Sequence, residues 1–544
     1  MGGLSMNAPV TMPGSMMLLP LQISSLVTHA ARHHGQQEVV SCDAAGLIHR
    51  YTYAQCARRS RRLAHGLRQI GVRPGERVAT LAWNGYRHLE LYYAISGSGA
   101  VCHTINPRLF LEQIVYIIND AEDCSVCFDA GFVPLVQTLR PRCPCVRHWI
   151  CLCDTTDRPT AGFEFNDFES VLALGDEEYP WPTLDENSAS GLCYTSGTTG
   201  HPKGVLYTHR STVLHALASC LPDAHCMDAR SIVLPVVPMF HANAWGLPYT
   251  APLVGAKLVL PGPQLSPEAL YQLLETERVT YAAGVPTIWS GLLDYLAAGG
   301  LRLSTLRRAL IGGSAPPPSM IAALAEHGVE VGQGWGMTET SPLVTTSALL
   351  SKHTGADARS QQAIHAKQGR AIFGVDIKIV ADTGEELPWD GRSMGQLWVR
   401  GHWVASQYFH APDSVLRDGW FPTGDVATID ADGYVQLRDR AKDLIKSGGE
   451  WIASIELENI ACAHPAVHHA ACIARAHPKW GERPLLVVVP KPGATACEAD
   501  IRAFFAGKVA RWAIPDSVIF VEALPLTATG KVSKAALRER FGAA

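Results

Sequence analysis

Tyr194-Thr195-Ser196-Gly197-Thr198-Thr199-Gly200-His201-Pro202-Lys203-Gly204 is the stretch from which the rest of this sequence can be read. It follows a β-like run, Gly191 to Tyr194, and precedes a helical pattern from His209 to Leu221. Glycines let backbone N–H groups come close to an anion. The Ser and Thr hydroxyls add donors, and Lys203 adds a point charge. These are the parts of a phosphate-gripping loop at a strand-to-helix turn. It is not a Walker A loop, which needs GxxxxGK followed by Ser or Thr; here Gly204 follows Lys203. A plain flexible turn would need the glycines but not this ordered set of hydroxyls and lysine.

Working outward, the segment before the loop alternates short apolar runs with helical patterns. Arg77 to Ala82, Val101 to Ile105 and Ser125 to Phe128 read as strands, and Glu90 to Ile95 and Glu112 to Ala121 as helices. Val133 to Leu139 and Val146 to Leu152 follow. Such alternation predicts a parallel sheet covered on both faces. Asp154 to Ser188, acidic and Pro-containing, reads as a spacer, after which Gly191 opens a second α/β unit. That unit has strands at Ile232 to Val237, Tyr281 to Val285 and Arg308 to Ile311, then a helix from Ser319 to His327. From about Gly374 the grammar becomes that of hairpins. Val375 to Val380, Gly395 to Arg400, Asp425 to Ile429 and Tyr434 to Leu437 are separated by turns such as Asp382-Thr383-Gly384 and Asp432-Gly433. This predicts a small antiparallel subdomain. After Lys442 an α+β pattern runs to the end, long enough for its own core.

With 544 residues, the chain allows three to five domain-sized units. Hydrophobic residues at 47% and charged residues at 18% exclude a disordered chain. A net charge of −4, with no basic stripe, argues against nucleic-acid binding. The richest apolar stretch, Ser231 to Leu260, is broken by Pro235, Pro238, His241, Asn243 and Lys257, which excludes a spanning helix. The apolar, Met-rich N-terminus has no basic side chain before Arg32, against a secretory signal. Met6 stands where a myristoylation signal wants Ser or Thr. The expectation is a cytoplasmic protein without membrane contact. Six of the 15 cysteines cluster at Cys124, Cys127, Cys143, Cys145, Cys151 and Cys153. The CxxC and CxC pairs have zinc-like spacing, but they fall in β-like runs where cysteine acts as a small hydrophobe.

The string YTSGTTGHPKG resembles the signature of adenylate-forming enzymes: acyl-CoA synthetases, luciferases and peptide-synthetase adenylation domains. Further motifs recur in that family's order: GGSAPPP at Gly312 to Pro318, GQGWGMTET at Gly332 to Thr340, and FPTGDVA at Phe421 to Ala427. RDRAKDLIKSGGEWI at Arg438 to Ile452 and PLTATGKVSK at Pro525 to Lys534 complete the set. The wording PMFHANAWG at Pro238 to Gly246, with GQGWGMTETSP, looks most like the medium-chain fatty acyl-CoA ligase branch, which includes 3-methylmercaptopropionate-CoA ligase.

The resemblance implies an N-terminal AMP-binding domain over 1–441 and a mobile C-terminal domain over 442–544. The first is built of two α/β layers and a small β-barrel-like subdomain. ATP would be held by Thr195, Ser196, Gly197, Thr198, Thr199 and Lys203, by Gly312, Gly313, Ser314 and Ala315, and by Gly334, Trp335, Gly336, Met337 and Thr338. In the family the aromatic at Trp335 stacks on adenine, as a flat indole suits a purine face. Asp425 would accept from both ribose hydroxyls, with Arg440 beside it. Thr338 would contact the α-phosphate, and Glu339 would hold Mg²⁺, which needs hard oxygen ligands. Lys531 would stabilise charge as the acyl-adenylate forms. Lys442 matches the hinge residue. Lys446, Ser447, Gly448, Gly449 and Glu450 match the strip that approaches CoA. His241, Trp245, Gly246, Gly312 and Gly334 would border the acyl pocket.

The implied reaction is ATP- and CoA-dependent activation of a short-to-medium-chain fatty or methylthio-alkanoic acid. Aryl or longer-chain acids, or transfer to a carrier protein, are the alternatives. Family members are often homodimers.

Overall fold

The computed structural model describes residues 12, 14–195, 201–448, 450–491, 493–527 and 531–542. Ser196, Gly197, Thr198, Thr199, Gly200, Gly449, Thr529 and Gly530, all singled out above, lie outside the described residues.

A seven-stranded sheet forms first. Its order is Asn166–Asp167, His148–Cys151, Ser125–Phe128, Arg77–Leu81, Val101–Thr104, Ala189–Tyr194, Gly204–Thr208. All neighbours are parallel except the last pair. Val101–Thr104 and Ser125–Phe128 are buried along their whole length. That is why they read as unbroken apolar runs rather than as alternation.

Ala189–Tyr194 pairs in parallel with Val101–Thr104, with Cys102 opposite Gly191. It therefore closes the first sheet and does not open a second unit. The expectation failed because Asp154 to Ser188 is not a spacer but the crossover. It carries the edge strand Asn166–Asp167 and the helix Phe168–Ala173, capped by Asp167, whose carboxylate accepts from Ser170 N at 2.8 Å. That helix seats so tightly that a Cβ on Gly66 would lie 2.0 Å from Val171 O.

The second sheet has nine strands, in the order Arg370–Ala371, Leu343–Thr346, Glu330–Gly336, Arg308–Ile311, Tyr281–Gly284, Ile232–Pro235, Lys257–Leu260, Glu38–Cys42, Ile48–Thr52. The last two come from the N-terminal region and join through parallel pairing of Val39 with Leu258. The third sheet is antiparallel, Val375–Val380, Gly395–Gly401, Phe421–Ile429 and Val435–Arg440, as the hairpin pattern predicted.

A separate C-terminal α+β domain follows. Its sheet runs Glu450–Ile452, Ile445–Ser447, Gly481–Pro490, Val467–His477, with Ser517–Phe520 parallel to Gly481–Pro490. Helices Ser454–Cys462 and Lys534–Phe541 pack on it. Ile445, Leu457, Cys472, Leu486, Val488 and Phe505 form an apolar core distinct from those of the large body.

The clustered cysteines split between two apolar cores. Cys124 and Cys127 lie in one, and Cys143, Cys151 and Cys153 in another. Burial pushes the Cys124 thiol up to about 11. Among the described residues no helix is long and apolar enough to cross a membrane.

Candidate active site

Thr195, His241, Gly313 and Thr338 follow the C-terminal ends of the strands Ala189–Tyr194, Ile232–Pro235, Arg308–Ile311 and Glu330–Gly336, the usual place for a ligand in open α/β sheets. The flanks of the phosphate-type loop are bonded to each other. Thr195 N donates to Lys203 O at 2.9 Å, and Lys203 N donates to Thr195 Oγ1 at 3.2 Å. The helix Leu111–Asp120 touches both flanks. Tyr194 OH donates to Asp120 Oδ2 at 2.6 Å, and the His201 ring stacks on Tyr116 with centroids 4.6 Å apart. Lys203 Nζ lies 4.9 Å from the centre of the Tyr408 ring, a cation–π distance. The Tyr408 hydroxyl in turn donates to Glu339 Oε1 at 2.7 Å. Thr338 and Glu339 are both buried, and Tyr207 OH donates to Thr338 O at 2.7 Å, fixing their short 3₁₀ turn.

The GQGWGMTET segment lies largely in the strand Glu330–Gly336, which contains Trp335. It pairs with Leu343–Thr346, and this pairing explains Gly336, where a Cβ would lie 1.7 Å from Pro342 O. The Trp335 indole is only 8% exposed and packs with Leu343, Val344 and Ile372. Its Nε1 donates to Asp425 Oδ2 at 3.0 Å, while Arg440 Nε meets Asp425 Oδ1 at 2.7 Å. Met337 is half-buried, with its N–H donating to Thr340 Oγ1 at 3.0 Å.

Lys531 comes from the C-terminal domain and reaches this cluster. A Cβ added to Gly313, itself at φ +82°, would lie 3.2 Å from Lys531 Cε. Gly313 and Ser314 are exposed and Ala315 half-buried along this approach. Burial, and secondarily the Arg440 charge, bring the Lys531 ammonium down to about 8, against an opposing effect of Asp425. Burial raises the Asp425 carboxyl despite Arg440, Trp335 and Lys531, which favour its ionised form. Thus a lysine poised near neutrality from the small domain meets a carboxylate, a guanidinium and an indole N–H from two sheets of the large one.

His241 opens the second half of the cleft. Burial, with a contribution from Lys531, lowers it to about 4, so the ring is neutral at physiological pH. A small cavity lies between Thr104, Asn106, Tyr194, Thr195, Phe240 and His241. The backbone after His241 is unusual: Ala242, Asn243, Ala244, Trp245 and Gly246 all have positive φ, between +43° and +82°. Left-handed conformations cost side-chain-bearing residues about 1–2 kcal/mol each. Such strain persists only where surrounding structure imposes it. Here Asn84 supplies part of it, accepting from Met239 N at 2.7 Å and donating to Pro235 O and Val237 O at 2.8 and 2.9 Å. The turn brings the Trp245 ring against Gly312, where a Cβ would sit 3.0 Å from Trp245 Cη2 and from Gly334 O. Gly246 is packed on His215, with room for no Cβ.

Lys442 lies in a turn from Arg440 to Leu444, closed by Asp443 N and Leu444 N donating to Arg440 O at 2.9 and 3.0 Å. Burial chiefly lowers its ammonium. Around this turn the two domains are bridged. Asp439 Oδ2 accepts from Ser454 N at 2.7 Å and from Ser454 Oγ, and Asp439 Oδ1 is 3.9 Å from Lys534 Nζ. Lys534 Nζ also pairs with Glu458 Oε1 at 2.8 Å, and Arg538 with Asp443 at 2.5 Å. The strip from Lys446 is a hairpin bonded to its own sheet. Lys446 N donates to Glu482 Oε2 at 2.8 Å, Ser447 Oγ accepts from Arg483 at 3.0 Å, and Gly448 N donates to Trp480 O at 2.8 Å. Glu450 sits opposite Ser447 in this hairpin.

The structure thus draws together Thr195, Lys203 and, through Tyr408, Glu339 in one group, Trp335, Asp425, Arg440, Gly313 and Lys531 in a second, and Trp245, Gly312 and Gly334 in a third. It leaves Lys446 to Glu450 with the C-terminal sheet. Sequence reasoning missed Tyr408, Tyr207, Asn84, Asp120 and Tyr116, because single aromatic or amide residues carry no spacing signal.

A lysine of the small α+β domain thus meets Gly313, Asp425 and Arg440 of the large α/β body. The chain belongs to the AMP-binding enzyme family, whose model matches residues 27–409, with the C-terminal domain of that family matching 456–531. It is 54% identical to 3-methylmercaptopropionyl-CoA ligase of Ruegeria lacuscaerulensis, over 97% of this chain and 99% of that protein. Its identity to medium-chain-fatty-acid–CoA ligase of Ectopseudomonas oleovorans is 51%, over 98% of both. The fold is also similar to the crystal structure of anthranilate CoA ligase AuaEII in complex with anthranoyl-AMP. The TM-score is 0.85 at 24% identity, covering 97% of this chain and 99% of that one.

Proposed function

We propose that this protein is an AMP-forming acid–CoA ligase that activates a short-to-medium-chain fatty or methylthio-alkanoic acid. The observation that carries this is the docking of Lys531 beside Gly313, Asp425 and Arg440. The full-length likeness to ligases of those two acid classes supports the choice of acid.

In this reading ATP lies across the cleft. Asp425, held by Trp335 and Arg440, accepts from the ribose hydroxyls, and the indole face of Trp335 meets adenine. The loop and Lys203 hold the phosphates. The acid carboxylate attacks the α-phosphorus, pyrophosphate leaves, and protonated Lys531 stabilises the developing charge. Thr338 lies at the α-phosphate. Neutral His241 positions the carboxylate without repelling Lys531 or attracting the acid away from ATP. Trp245, Gly312 and Gly334 border an apolar acyl pocket.

Glu339 suits Mg²⁺: it is a buried, hard carboxylate with one oxygen engaged by the neutral Tyr408 hydroxyl. The ion would offset phosphate charge there.

The domain 442–544 then turns about Lys442 relative to 1–441, removes Lys531 and brings Lys446, Ser447, Gly448 and Glu450 to the cleft. The CoA thiolate attacks the acyl carbonyl, forming the thioester and releasing AMP. A cytoplasmic homodimer is the form proposed, on family resemblance.

The test is pyrophosphate release across a panel of carboxylic acids, with and without CoA, with products identified by mass. Acyl-CoA and AMP from C4 to C10 or methylthio acids are expected. Release of pyrophosphate with no thioester at any CoA concentration would point to carrier-protein loading instead.

A further inference from the structure

Five consecutive residues of the segment that carries Trp245 are held in the left-handed region, and only one of them, Gly246, is a glycine. Of the four others, Asn is the type most at ease there, because its short amide can bond locally. Asn243 is also the one whose side chain reaches outward into polar partners. It is 7% exposed, and its Oδ1 accepts from Tyr92 OH at 3.2 Å and from Cys193 Sγ at 3.6 Å. The single proton of that Tyr92 hydroxyl is shared with Met239 O, its nearer acceptor, two residues before His241. Cys193 is also in contact with Thr104 Oγ1 at 3.2 Å, and lies in the strand Ala189–Tyr194 that leads directly to Thr195. One amide therefore joins the strained turn to the first sheet at the foot of the phosphate-type loop.

Resting on the acid–CoA ligase reading above, we infer that Asn243 is the positioning residue of the acyl pocket. It holds the left-handed turn in the one conformation that lays Trp245 over Gly312, and so sets which acyl chains fit. Asn243 need not touch the substrate. Its side chain ties the turn to Tyr92 and Cys193, and the backbone bonds Ala244 N to Pro238 O and Gly246 N to Asn243 O, at 3.2 and 3.0 Å, complete the loop. Without the amide the positive-φ path is the costly one, and Trp245 drifts from the Gly312–Gly334 wall.

Asn243→Gly separates side chain from backbone, since glycine accepts positive φ at no cost while losing both contacts. Asn243→Asp keeps an acceptor for the Tyr92 hydroxyl. Wild-type enzyme is assayed first on the acid panel; failure to form any acyl-CoA there defeats the functional reading itself. Given an active wild type, Asn243→Gly should raise KM for the preferred acid about tenfold and flatten the chain-length ranking, with KM for ATP within about twofold. The tenfold change corresponds to about 1.4 kcal/mol. Asn243→Asp should restore most of the ranking. An unchanged acid profile in Asn243→Gly overturns the inference. So does a parallel loss in acid KM, ATP KM and thermal midpoint, which marks a purely structural role.

Discussion

The indole Nε1 of Trp335 donates to Asp425 Oδ2 at 3.0 Å, joining the nine-stranded sheet to the antiparallel one across the cleft. Arg440 takes the other oxygen. The carboxylate therefore has a fixed orientation before any ribose arrives. Trp335→Phe keeps a flat ring but removes the donor. A hydrogen bond to a charged group contributes about 1.5–3 kcal/mol. KM for ATP should therefore rise by about tenfold or more with kcat changed less, and preference for ATP over 2′-deoxy-ATP should shrink. Steady-state kinetics with both nucleotides checks this; unchanged discrimination would show that Asp425 needs no such anchor.

Lys531 belongs to the small domain and lies against Gly313 of the large one. Lys531→Ala should lower acyl-adenylate formation by about a thousandfold, the order seen when a group aimed at developing charge is removed. Thioester formation from supplied acyl-adenylate and CoA should stay within a few-fold of wild type. Comparable losses in the two half-reactions would remove Lys531 from the adenylation step.

The lowered ammonium of Lys531 gives a pH dependence of definite sign. In the proposed mechanism the protonated form is the active one, and burial brings its value in the free enzyme to about 8. Adenylation kcat/KM should therefore hold below that pH and fall as pH rises through it. His241, lowered to about 4, stays neutral over the same range and adds no limb between pH 5 and 8. Lys531→Arg, always charged, should abolish the alkaline fall at the cost of a lower plateau. A pH profile of pyrophosphate release for both proteins decides it.

The motif-bearing half of the site was legible because each motif combined glycines at close backbone approaches with one chemically committed residue. Gly336 against Pro342 O, and Gly313 beside Lys531, are such approaches. The layers were legible from unbroken apolar runs, but sheet membership was not. Gly191 to Tyr194 looked like a new beginning because sequence order hides that a strand can return beside Val101–Thr104 after a long crossover. The hairpin of Glu38–Cys42 and Ile48–Thr52 was missed for the opposite reason: its partner, Lys257–Leu260, lies some two hundred residues away. Tyr408 and Asn84 could not be read at all. Their roles exist only through long-range hydrogen bonds.

Asp439 gives the strongest test of domain alternation. It lies three residues before Lys442, yet its carboxylate is bonded to Ser454 and faces Lys534, both beyond that residue. The proposed rotation about Lys442 would part these groups. The network is buried, with Asp439 3% exposed, and Glu458 shares Lys534 within it. Removing one charge from such a cluster leaves a partner uncompensated, typically at about 3–5 kcal/mol, and the cost falls only on the state where the groups meet. The isosteric Asp439→Asn keeps an oxygen for Ser454 N but loses the charge facing Lys534. Adenylation should fall by about tenfold or more, while thioester formation from supplied acyl-adenylate is unchanged or faster. Lys534→Met should reproduce the bias through the other partner. Measuring both half-reactions in both variants, with thermal midpoints, settles the matter: an equal loss in the two steps would mean that the network supports the fold and not the docked state.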